Sequence, residues 1–502
     1  MEQDLTYFNN FGQQVEQRIA KLGNFAGRGQ LPYPPRVTRQ QTTQQAIVLY
    51  EQAEAALPEG SEDKPDIAVA VAGRLVAVRV MGKSSFAHIE DGEGRLQLYF
   101  TKNDLADDYD IFKKELDLGD FVAAQGKLFR TRTGEVTVHV ESFQLASKAL
   151  HPPPEKWHGI TDVEIRYRRR YLDLIANPEV RDIFRKRSRA VTAMRQFLDG
   201  EGFLEVETPT LQPLYGGALA RPFTTHHNAL GMELYLRISD ELYLKRLIVG
   251  GFDKVYEICK DFRNEGISTK HNPEFTMMEC YWAYADYQDM MRLTENMIAH
   301  IAQEVLGTTK ITFDGQEIDL TPPWRRLNLA EAIKTQTEID IFDSYGDVDA
   351  LWAECQKLGL EVSPQPSWGK LVDELLGEYV EPTITQPTFI HTFPVDISPL
   401  SKQNPDDPRM VERFEAFIAG MEVGNAYSEL NDPITQRQRF LEQQEIADEE
   451  AHTVDDDYVF ALMQGMPPTG GLGIGVDRIV MLLTDQQSIR EVILFPQMRA
   501  RE

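Results

Sequence analysis

Two alternating runs joined by a polar loop, residues 254–287 (KVYEICKDFRNEGISTKHNPEFTMMECYWAYADY), carry side chains suited to holding a nucleotide. Alternation predicts a hairpin of two strands. In the second strand Phe275, Met277, Glu279 and Tyr281 share one face, and Arg263 lies near the tip. An arginine, a ring and a carboxylate on one side of a hairpin can clamp a nucleotide between charge and ring. The alternative is an ordinary hairpin with a solvated loop, which periodicity alone favours.

A second stretch, residues 412–430 (ERFEAFIAGMEVGNAYSEL), combines two acids with an alternating run. We expect a helix that passes into a strand whose face carries Val423, Asn425, Tyr427 and Glu429. If the helix continues, Glu415 and Glu422 lie two turns apart on one side, where they suit Mg²⁺ bound to phosphates. Glu422 has the wrong parity for the strand face, which indicates a bulge at Gly424. The alternative is a pair of exposed helix acids.

A third stretch, residues 470–485 (GGLGIGVDRIVMLLTD), has glycine at every second position, 471, 473 and 475. Bare positions on one strand face let a flat ring or another backbone approach closely. We predict a strand followed by a helix from about Asp477. The glycine spacing does not fit a dinucleotide-binding turn, and no GxxxxGK[ST] phosphate loop is present. A strand that simply packs tightly is the alternative.

The rest of the chain supplies the elements that position these stretches. Helical patterns occupy the first 57 residues, and short alternating strands with one inserted helix follow, as in an OB-fold barrel. A proline-rich segment then leads into a larger α+β region. We predict a helical arm at 1–65, an OB-fold domain at 66–147, a linker at 148–170 and an antiparallel-sheet domain at 171–502, with a helical insertion at about 325–385.

Composition restricts the possible functions. The chain has 502 residues, 42% of them hydrophobic, and no run of apolar residues long enough to span a bilayer or to act as a secretory signal, so we expect a cytoplasmic protein with no membrane partner. The net charge of −27 argues against a general positive field for nucleic acid. The basic run at 166–195 is read as ion-paired helix faces. Three cysteines lack zinc-ligand spacing, so we expect no zinc.

Three segments of the chain, taken in order, resemble the three signature motifs of class II aminoacyl-tRNA synthetases. FLEVETPTLQP at 203–213 resembles motif 1, which builds a dimer interface, FRNEG at 262–266 with HNPEF resembles motif 2, and GLGIGVDRIVML resembles motif 3. Within the class the chain is similar to the bacterial lysine–tRNA ligase family, notably in RVMGKSSFAHIED, YRRRYLDL, ELYLKRLIVGGF and NAYSELND. The resemblance covers nearly the whole chain.

The resemblance implies a homodimeric, ATP-dependent ligase of protein synthesis that activates L-lysine as an adenylate, releases pyrophosphate and loads tRNA(Lys), with Mg²⁺ and no organic cofactor. It implies that Arg263 and Arg478 are catalytic and hold the α- and γ-phosphates, and that Glu415 and Glu422 bind the metal. The implied ATP contacts are Arg263, Glu265, His271, Asn272, Phe275 and Arg478. The implied lysine contacts are Gly217, Glu241, Arg263, Glu279, Tyr281, Asn425 and Glu429. The implied anticodon contacts are Phe86, Gln97 and Glu135.

Two alternatives to this function remain. Aspartate– and asparagine–tRNA ligases share the OB domain and the motifs, but Glu279 and Glu429 would repel an aspartate side chain and attract an ammonium group. A non-catalytic RNA-binding protein derived from a synthetase is the other. For Phe86 the alternative is a ring in the barrel core, which strand parity does not decide.

Overall fold

The computed structural model describes residues 6–27, 31–58, 63–154, 160–218, 220–445 and 454–500. The chain forms two compact units, Met1–Gly159 and Ile160–Glu502. Their boundary falls inside the segment predicted as a linker, of which residues 155–159 lie outside the described residues. Each unit has a hydrophobic core of its own.

The first unit is a five-stranded closed barrel with helices packed against it, which confirms the predicted OB-fold. The strands pair in the order β1-β2-β3-β5-β4. At Gly126, β4 approaches β5 so closely that a Cβ would lie 1.9 Å from the His139 carbonyl oxygen. Its elements are α1 (Gln13–Ala26), α2 (Thr43–Ala55), β1 (Ala68–Met81), β2 (Ser84–Glu90), β3 (Arg95–Thr101), α3 (Lys102–Leu105), α4 (Asp108–Glu115), β4 (Phe121–Arg130) and β5 (Val136–Ser147).

The second unit begins with helices that carry the basic run. Their arginines are tied down by acids: Arg170 is fully buried and pairs with Asp173 at 2.6 Å, and Arg187 pairs with Asp477 at 2.6 Å. The expected ion pairs are therefore present, but Arg170 is buried rather than on a solvated helix face. The elements that precede the site are α5 (Val163–Arg168), α6 (Arg170–Ala176), α7 (Pro178–Gly200), β6 (Leu204–Glu205), β7 (Leu211–Gln212), β8 (Thr224–His227), β9 (Met232–Leu236) and α8 (Glu241–Val249).

A large, mostly antiparallel sheet forms the centre of the second unit, as predicted. Its strand order is β14-β15-β16-β17-β18-β11-β10-β6, with parallel pairing only for β14 with β15 and for β10 with β6 among the described strands. The elements that complete this part are β10 (Lys254–Phe262), β11 (Glu274–Ala283), α9 (Tyr287–Leu306), β12 (Lys310–Phe313), β13 (Gln316–Asp319) and β14 (Arg325–Asn328).

The predicted helical insertion starts later than expected, because Arg325–Asn328 is β14, an edge strand of the large sheet. Helices then follow from Leu329, with a core of their own around Leu371, and the chain returns to the sheet at β15. These elements are α10 (Leu329–Thr337), α11 (Val348–Leu358), α12 (Trp368–Leu375) with a π-helical turn (Leu376–Val380), and β15 (Thr388–Pro394).

The helix expected before Gly420 is wrong: Met410–Ile418 is β16, a central strand paired on both sides. Both faces of this strand are covered, since Phe414 packs in the main core and Phe417 in the core of the helical insertion. A strand buried on both faces loses the alternation that identifies half-exposed strands. The remaining elements are β17 (Met421–Ser428), α13 (Pro433–Glu445), α14 (Asp456–Met463), β18 (Thr469–Gly475), α15 (Val476–Leu483) and α16 (Ile489–Val492).

Candidate active site

A cavity of about 390 Å³ lies on one face of β11, β18 and β17, and it brings together nearly all of the residues predicted for ATP and lysine. The expected parity of β11 is confirmed, because Phe275, Met277, Glu279 and Tyr281 all line the cavity. The volume lies in the usual range for a small-molecule site. Predicted residues that line it are Gly217, Glu241, Arg263, Glu265, His271, Asn272, Phe275, Glu279, Tyr281, Glu422, Asn425, Glu429 and Arg478.

One end of the cavity is cationic and aromatic. The Arg263 guanidinium lies over the Phe275 ring, 5.1 Å from its centre, and its buried Nε has no hydrogen-bond partner among the described residues. Arg478 enters from α15 and donates to the Glu422 side chain at 3.1 Å. His271 lies beside these arginines, and its pKa is lowered by burial and then by Arg478. This end can hold a planar ring and several phosphates.

Two predicted nucleotide contacts differ in whether their side chains already have hydrogen-bond partners within the protein or are exposed. Asn272 is buried, and its amide already donates to the Glu274 carbonyl at 2.6 Å and accepts from the Gln497 amide at 3.2 Å. It therefore fixes the loop that follows motif 2. Glu265 is exposed on that loop and lines the cavity.

The other end of the cavity is acidic. Glu279 accepts from Ser239 at 2.9 Å and from the Tyr281 hydroxyl at 2.9 Å, and burial followed by the charge of Asp261 raises its pKa. Glu429 is 1% exposed, and its Oε1 has no donor among the described residues. A buried carboxylate oxygen without a donor is costly unless a ligand supplies one. This end is built to receive hydrogen-bond donors with positive charge.

Burial raises the pKa of Glu241 to about 7 and that of Glu429 to about 8, although the ammonium of Lys245 opposes the shift in both. Lys245 lies on α8 four residues after Glu241, is fully buried and forms ion pairs with both acids. Sequence reasoning missed Lys245. The Glu241-to-Lys245 spacing of four on a helix was the signal that could have identified it.

Glycines on β18 and before α8 make room for these acids. A Cβ at Gly471 would lie 2.0 Å from Glu429 Oε1 and 2.6 Å from the Tyr281 ring, so the close approach predicted for this strand is confirmed there. At Gly473 and Gly475 the nearest atoms would be 3.7 Å away, an ordinary contact. Gly217 has a φ of +89° and would place a Cβ 2.8 Å from Ser239 Oγ.

The two proposed metal ligands lie on neighbouring strands rather than on one helix. Glu415 on β16 is opposite Asn425, and Glu422 on β17 is opposite Phe417, with the predicted bulge between Glu422 and Gly424. The bulge turns Glu422 toward the cavity, and Val423 packs in the main core while also lining the cavity. Burial raises the pKa of Glu415 to about 8, and Glu422 adds to that shift.

An arginine that sequence reasoning overlooked connects this pair to the cavity. Arg413 on β16 donates to the Glu415 carboxylate, to Asn425 Oδ1 at 3.2 Å and to Ser398 Oγ at 3.0 Å. Arg413 lines the cavity, whereas Glu415 is buried behind it. Two acids that repel each other, supplied only with oxygen ligands, fit a hard divalent cation such as Mg²⁺.

A separate group of ligand-capable atoms lies behind the acidic end. Atoms of Asp240, Cys259 and Asp261 all lie within 4.8 Å of one another, and Arg237 is 3.4 Å from Asp261. Burial, followed by the charge of Glu279, raises the pKa of Asp240 well above its usual value. The raised pKa favours the protonated form of Asp240 beside Glu279, and the Arg237 guanidinium pairs with Asp261.

On the barrel, the predicted anticodon residues share one outer surface. Phe86 is half-buried and packs on Tyr99 with ring centres 4.8 Å apart, while its neighbours Ser85 and Ala87 point into the barrel. The alternative that placed Phe86 in the barrel core is therefore wrong. Gln97 donates to Glu135 at 2.7 Å, and His88 lies 2.9 Å from Glu135. Tyr99 and His88 extend this surface and were not predicted.

Comparisons with known proteins agree with this geometry. Residues 162–499 match a family model described as tRNA synthetases class II (D, K and N), and residues 69–146 match an OB-fold nucleic acid binding domain. The chain is 56% identical to the lysine–tRNA ligase of Roseiflexus sp. (strain RS-1) over 97% of its own length and 99% of that protein.

The chain belongs to the lysine–tRNA ligase family of class II aminoacyl-tRNA synthetases. It is also 54% identical to the lysine–tRNA ligases of Pelotomaculum thermopropionicum and Chloroflexus aurantiacus, over 97% of this chain and 94% and 98% of those proteins. As a member of that family it is a ligase with an anticodon-binding type of OB barrel. No helix of the described residues is long and apolar enough to cross a membrane.

Proposed function

We propose that the chain is a cytoplasmic enzyme that activates L-lysine with ATP and transfers it to tRNA(Lys). The observation that carries the proposal is the opposite charge at the two ends of one cavity. Phe275 and Tyr281 mark those ends on β11, about 20 Å apart along a strand. That distance suits an aminoacyl nucleotide lying along the strand.

In the proposed first step a lysine carboxylate oxygen attacks the α-phosphorus of ATP in line, and the bond to the leaving pyrophosphate breaks. Arg263 would hold the lysine carboxylate and the α-phosphate, and Arg478 the γ-phosphate. Free donors on Arg263 support this assignment. Catalysis is then by positioning and by stabilisation of charge on the transferred phosphoryl group.

We propose that Glu415 and Glu422 hold Mg²⁺ together with the nucleotide. Bound Mg²⁺ would neutralise phosphate charge. Within this chain Arg413 holds Glu415, and Arg478 holds Glu422, so both acids are already oriented by guanidinium groups. The proposed chemistry uses neither zinc nor an organic cofactor.

The acidic end would bind both ammonium groups of lysine. Glu241 and the backbone at Gly217 would take the α-ammonium, and Glu279, Tyr281 and Glu429 the side-chain ammonium, with Asn425 on the carboxylate. Aspartate would bring a carboxylate against three buried acids, which opposes binding. This contrast supports lysine over aspartate, and the neutral side chain of asparagine would leave the buried acids without a cation.

In the proposed second step the terminal hydroxyl of tRNA attacks the lysyl carbonyl of the adenylate and releases AMP. Phe86, Gln97 and Glu135 on the barrel would read anticodon bases, and the half-buried rings on its outer surface support stacking of unpaired bases. We further propose a homodimer built on the motif 1 region, where Leu204, Leu211 and Leu230 are exposed.

The test is amino-acid-dependent exchange between ATP and labelled pyrophosphate, without tRNA. We expect exchange with lysine, and none above background with aspartate or asparagine at the same concentration. Exchange driven by aspartate or asparagine would reassign the substrate, and no exchange with any of the three would remove the enzymatic proposal.

A further inference from the structure

The acidic end of the cavity already contains an ammonium group that belongs to the protein. Lys245 on α8 is fully buried, and its Nζ forms ion pairs with Glu241 and with Glu429. Tyr281 on β11 presents its ring to this ammonium, with the ring centre 5.9 Å from Nζ. These contacts bring a helix acid and a strand-end acid onto one cation.

Among the described residues, Lys245 is the only cation paired with either acid. Glu429 Oε2 pairs with Lys245 while Oε1 has no donor, and Glu241 is held by Lys245 from its own helix. After burial, the charge of Glu279 raises the pKa of both acids, and that of Glu241 also raises the pKa of Glu429. Removal of the ammonium would therefore leave like charges buried together. Such groups take up protons rather than stay ionised.

The charges at this end balance only when Lys245 is included. Glu241, Glu279 and Glu429 are three carboxylates, and bound lysine would bring two ammonium groups. Burial raises the pKa of Asp240 and favours its protonated form, and Asp261 is paired with Arg237, so neither acid needs a further cation. Lys245 supplies the third ammonium.

We propose that Lys245 is a positioning residue that favours the ionised forms of Glu241 and Glu429 and fixes both side chains in place, and thereby sets the cavity to accept an amino acid with two ammonium groups. The inference rests on the proposed function, because it takes lysine as the ligand of this end. Lys245 itself does not touch the reacting atoms. When the three acids are ionised, the charge of Lys245 leaves the acidic end with a net charge of −2. The two ammonium groups of lysine would neutralise that charge.

The test is Lys245→Met, which keeps the length of the side chain and removes its charge. In lysine-dependent pyrophosphate exchange at pH 7 we expect the KM for lysine to rise at least about tenfold, as for the loss of one favourable charge contact. The KM for ATP should change less than about twofold, since the arginine end is untouched. The rise in the lysine KM should become smaller as the pH is raised toward 9, because a larger fraction of each acid is then ionised without the ammonium.

Lys148→Met is the matched control. Lys148 is also fully buried and also pairs with two carboxylates, Asp117 and Asp120 at 2.5 and 2.7 Å, but it lies in the barrel unit. Its loss should lower thermal stability, because two carboxylates again lose their buried cation. The lysine KM of the exchange reaction should stay within about twofold, because that reaction does not use the barrel. A pH-independent loss in Lys245→Met, or equal rises in the KM values for lysine and ATP, would show that Lys245 is only structural.

Should Lys245→Met not fold, the double variant Lys245→Met/Glu429→Gln removes cation and anion together, a change that buried pairs tolerate better than loss of one partner. Compared with Glu429→Gln alone, the double variant should need more lysine below pH 8, because Glu241 has lost its cation. Superimposable pH profiles would overturn the assignment. Absence of lysine-dependent exchange in the unmodified chain would instead refute the proposed function.

Discussion

At the scale of single residues, the two ends of the cavity differ in what their side chains still lack. Arg263 Nε is buried with no acceptor, and Glu429 Oε1 is buried with no donor, among the described residues. Unmet hydrogen-bonding capacity of opposite kinds at the two ends implies ligands of opposite charge. Each end can therefore be tested by a single substitution that keeps size and changes charge or geometry.

Arg263→Lys keeps the charge and loses the two-pronged contact that a guanidinium makes with carboxylate and phosphate. We expect lysine-dependent pyrophosphate exchange to fall at least about a hundredfold, since a charged, bidentate contact made in the transition state is lost. Circular dichroism and thermal unfolding should be unchanged, because the guanidinium is not used to hold the fold. Near-normal exchange would remove Arg263 from the mechanism.

Glu429→Gln removes one of the buried acids. Loss of one partner of a buried charged pair costs on the order of 2 to 5 kcal/mol, so we expect the KM for lysine to rise at least about thirtyfold. The KM for ATP should shift little. Glu274→Gln, an exposed acid on the same strand, is the control and should leave both values unchanged. Equal losses for ATP and lysine would contradict the assignment.

The raised pKa values of Glu241, about 7, and Glu429, about 8, predict a pH dependence of lysine binding. Below these values the acids are protonated and the ammonium groups of lysine must displace protons, so binding weakens as pH falls. We expect the lysine dissociation constant, measured by calorimetry, to rise at least about tenfold between pH 8 and pH 6. A value independent of pH over this range would mean that neither acid contacts lysine.

At the scale of elements, strand geometry decides which residues meet. The alternation of side chains on β11 was predictable, because one face lines the cavity and the other packs on a core. The series from Phe275 to Tyr281 follows from this alternation. The strand β16 was not predictable in the same way. Phe414, Phe417 and Ile418 on this strand, followed by Met421 at the start of β17, fall at the spacing of a helix face, and both faces of β16 are covered.

The same limit explains the residues that were missed. Lys245 and Arg413 read as ordinary surface charges in a sequence, because nothing local shows that the sheet will bury them beside acids from other strands. The OB barrel, by contrast, was predictable from alternation and turn residues. The sequence could not show which residue, distant in the chain, pairs with each buried charge.

Gly471→Ala tests the close packing of β18. Its Cβ would lie 2.0 Å from Glu429 Oε1 and 2.6 Å from Tyr281, so both side chains must move. We expect the lysine KM to rise at least about tenfold, by displacement of those contacts. Gly473→Ala, with its nearest atom 3.7 Å away, should have a much smaller effect on the same assay. Equal effects of the two changes would show that the loss does not come from displacement of Glu429 and would contradict the prediction.

Phe86→Ala tests the outer surface of the barrel. Stacking contributes about 1 to 3 kcal/mol per base, so tRNA charging should weaken by about ten- to a hundredfold while exchange without tRNA is unchanged. Phe121→Ala is the control, since Phe121 is an exposed ring of the same barrel that packs against Arg74 at 4.3 Å. Loss of both activities in Phe86→Ala would mean that the ring is structural.

At the scale of the whole molecule, exposed apolar residues gather at one part of the catalytic unit. Leu204 is 49% exposed on β6, the last strand of the large sheet, and Leu211, Leu214 and Leu230 are exposed in the segment that follows. A bare sheet edge with apolar side chains favours pairing with another chain unless it is covered. The motif 1 resemblance and this exposure point to the same surface.

We therefore expect the chain to sediment as a dimer and Leu204→Arg to shift it toward the monomer. An arginine at a two-fold interface meets its own copy or lies close to it, so each substitution places like charges together while it removes apolar contact. Sedimentation velocity at micromolar concentration measures the change. Leu118→Arg is the control, because Leu118 is 42% exposed but belongs to the barrel unit, and it should leave the dimer intact. A native chain that sediments as a monomer, or a Leu204→Arg variant that remains a dimer with unchanged concentration dependence, would remove this edge as the interface, whatever the variant's activity.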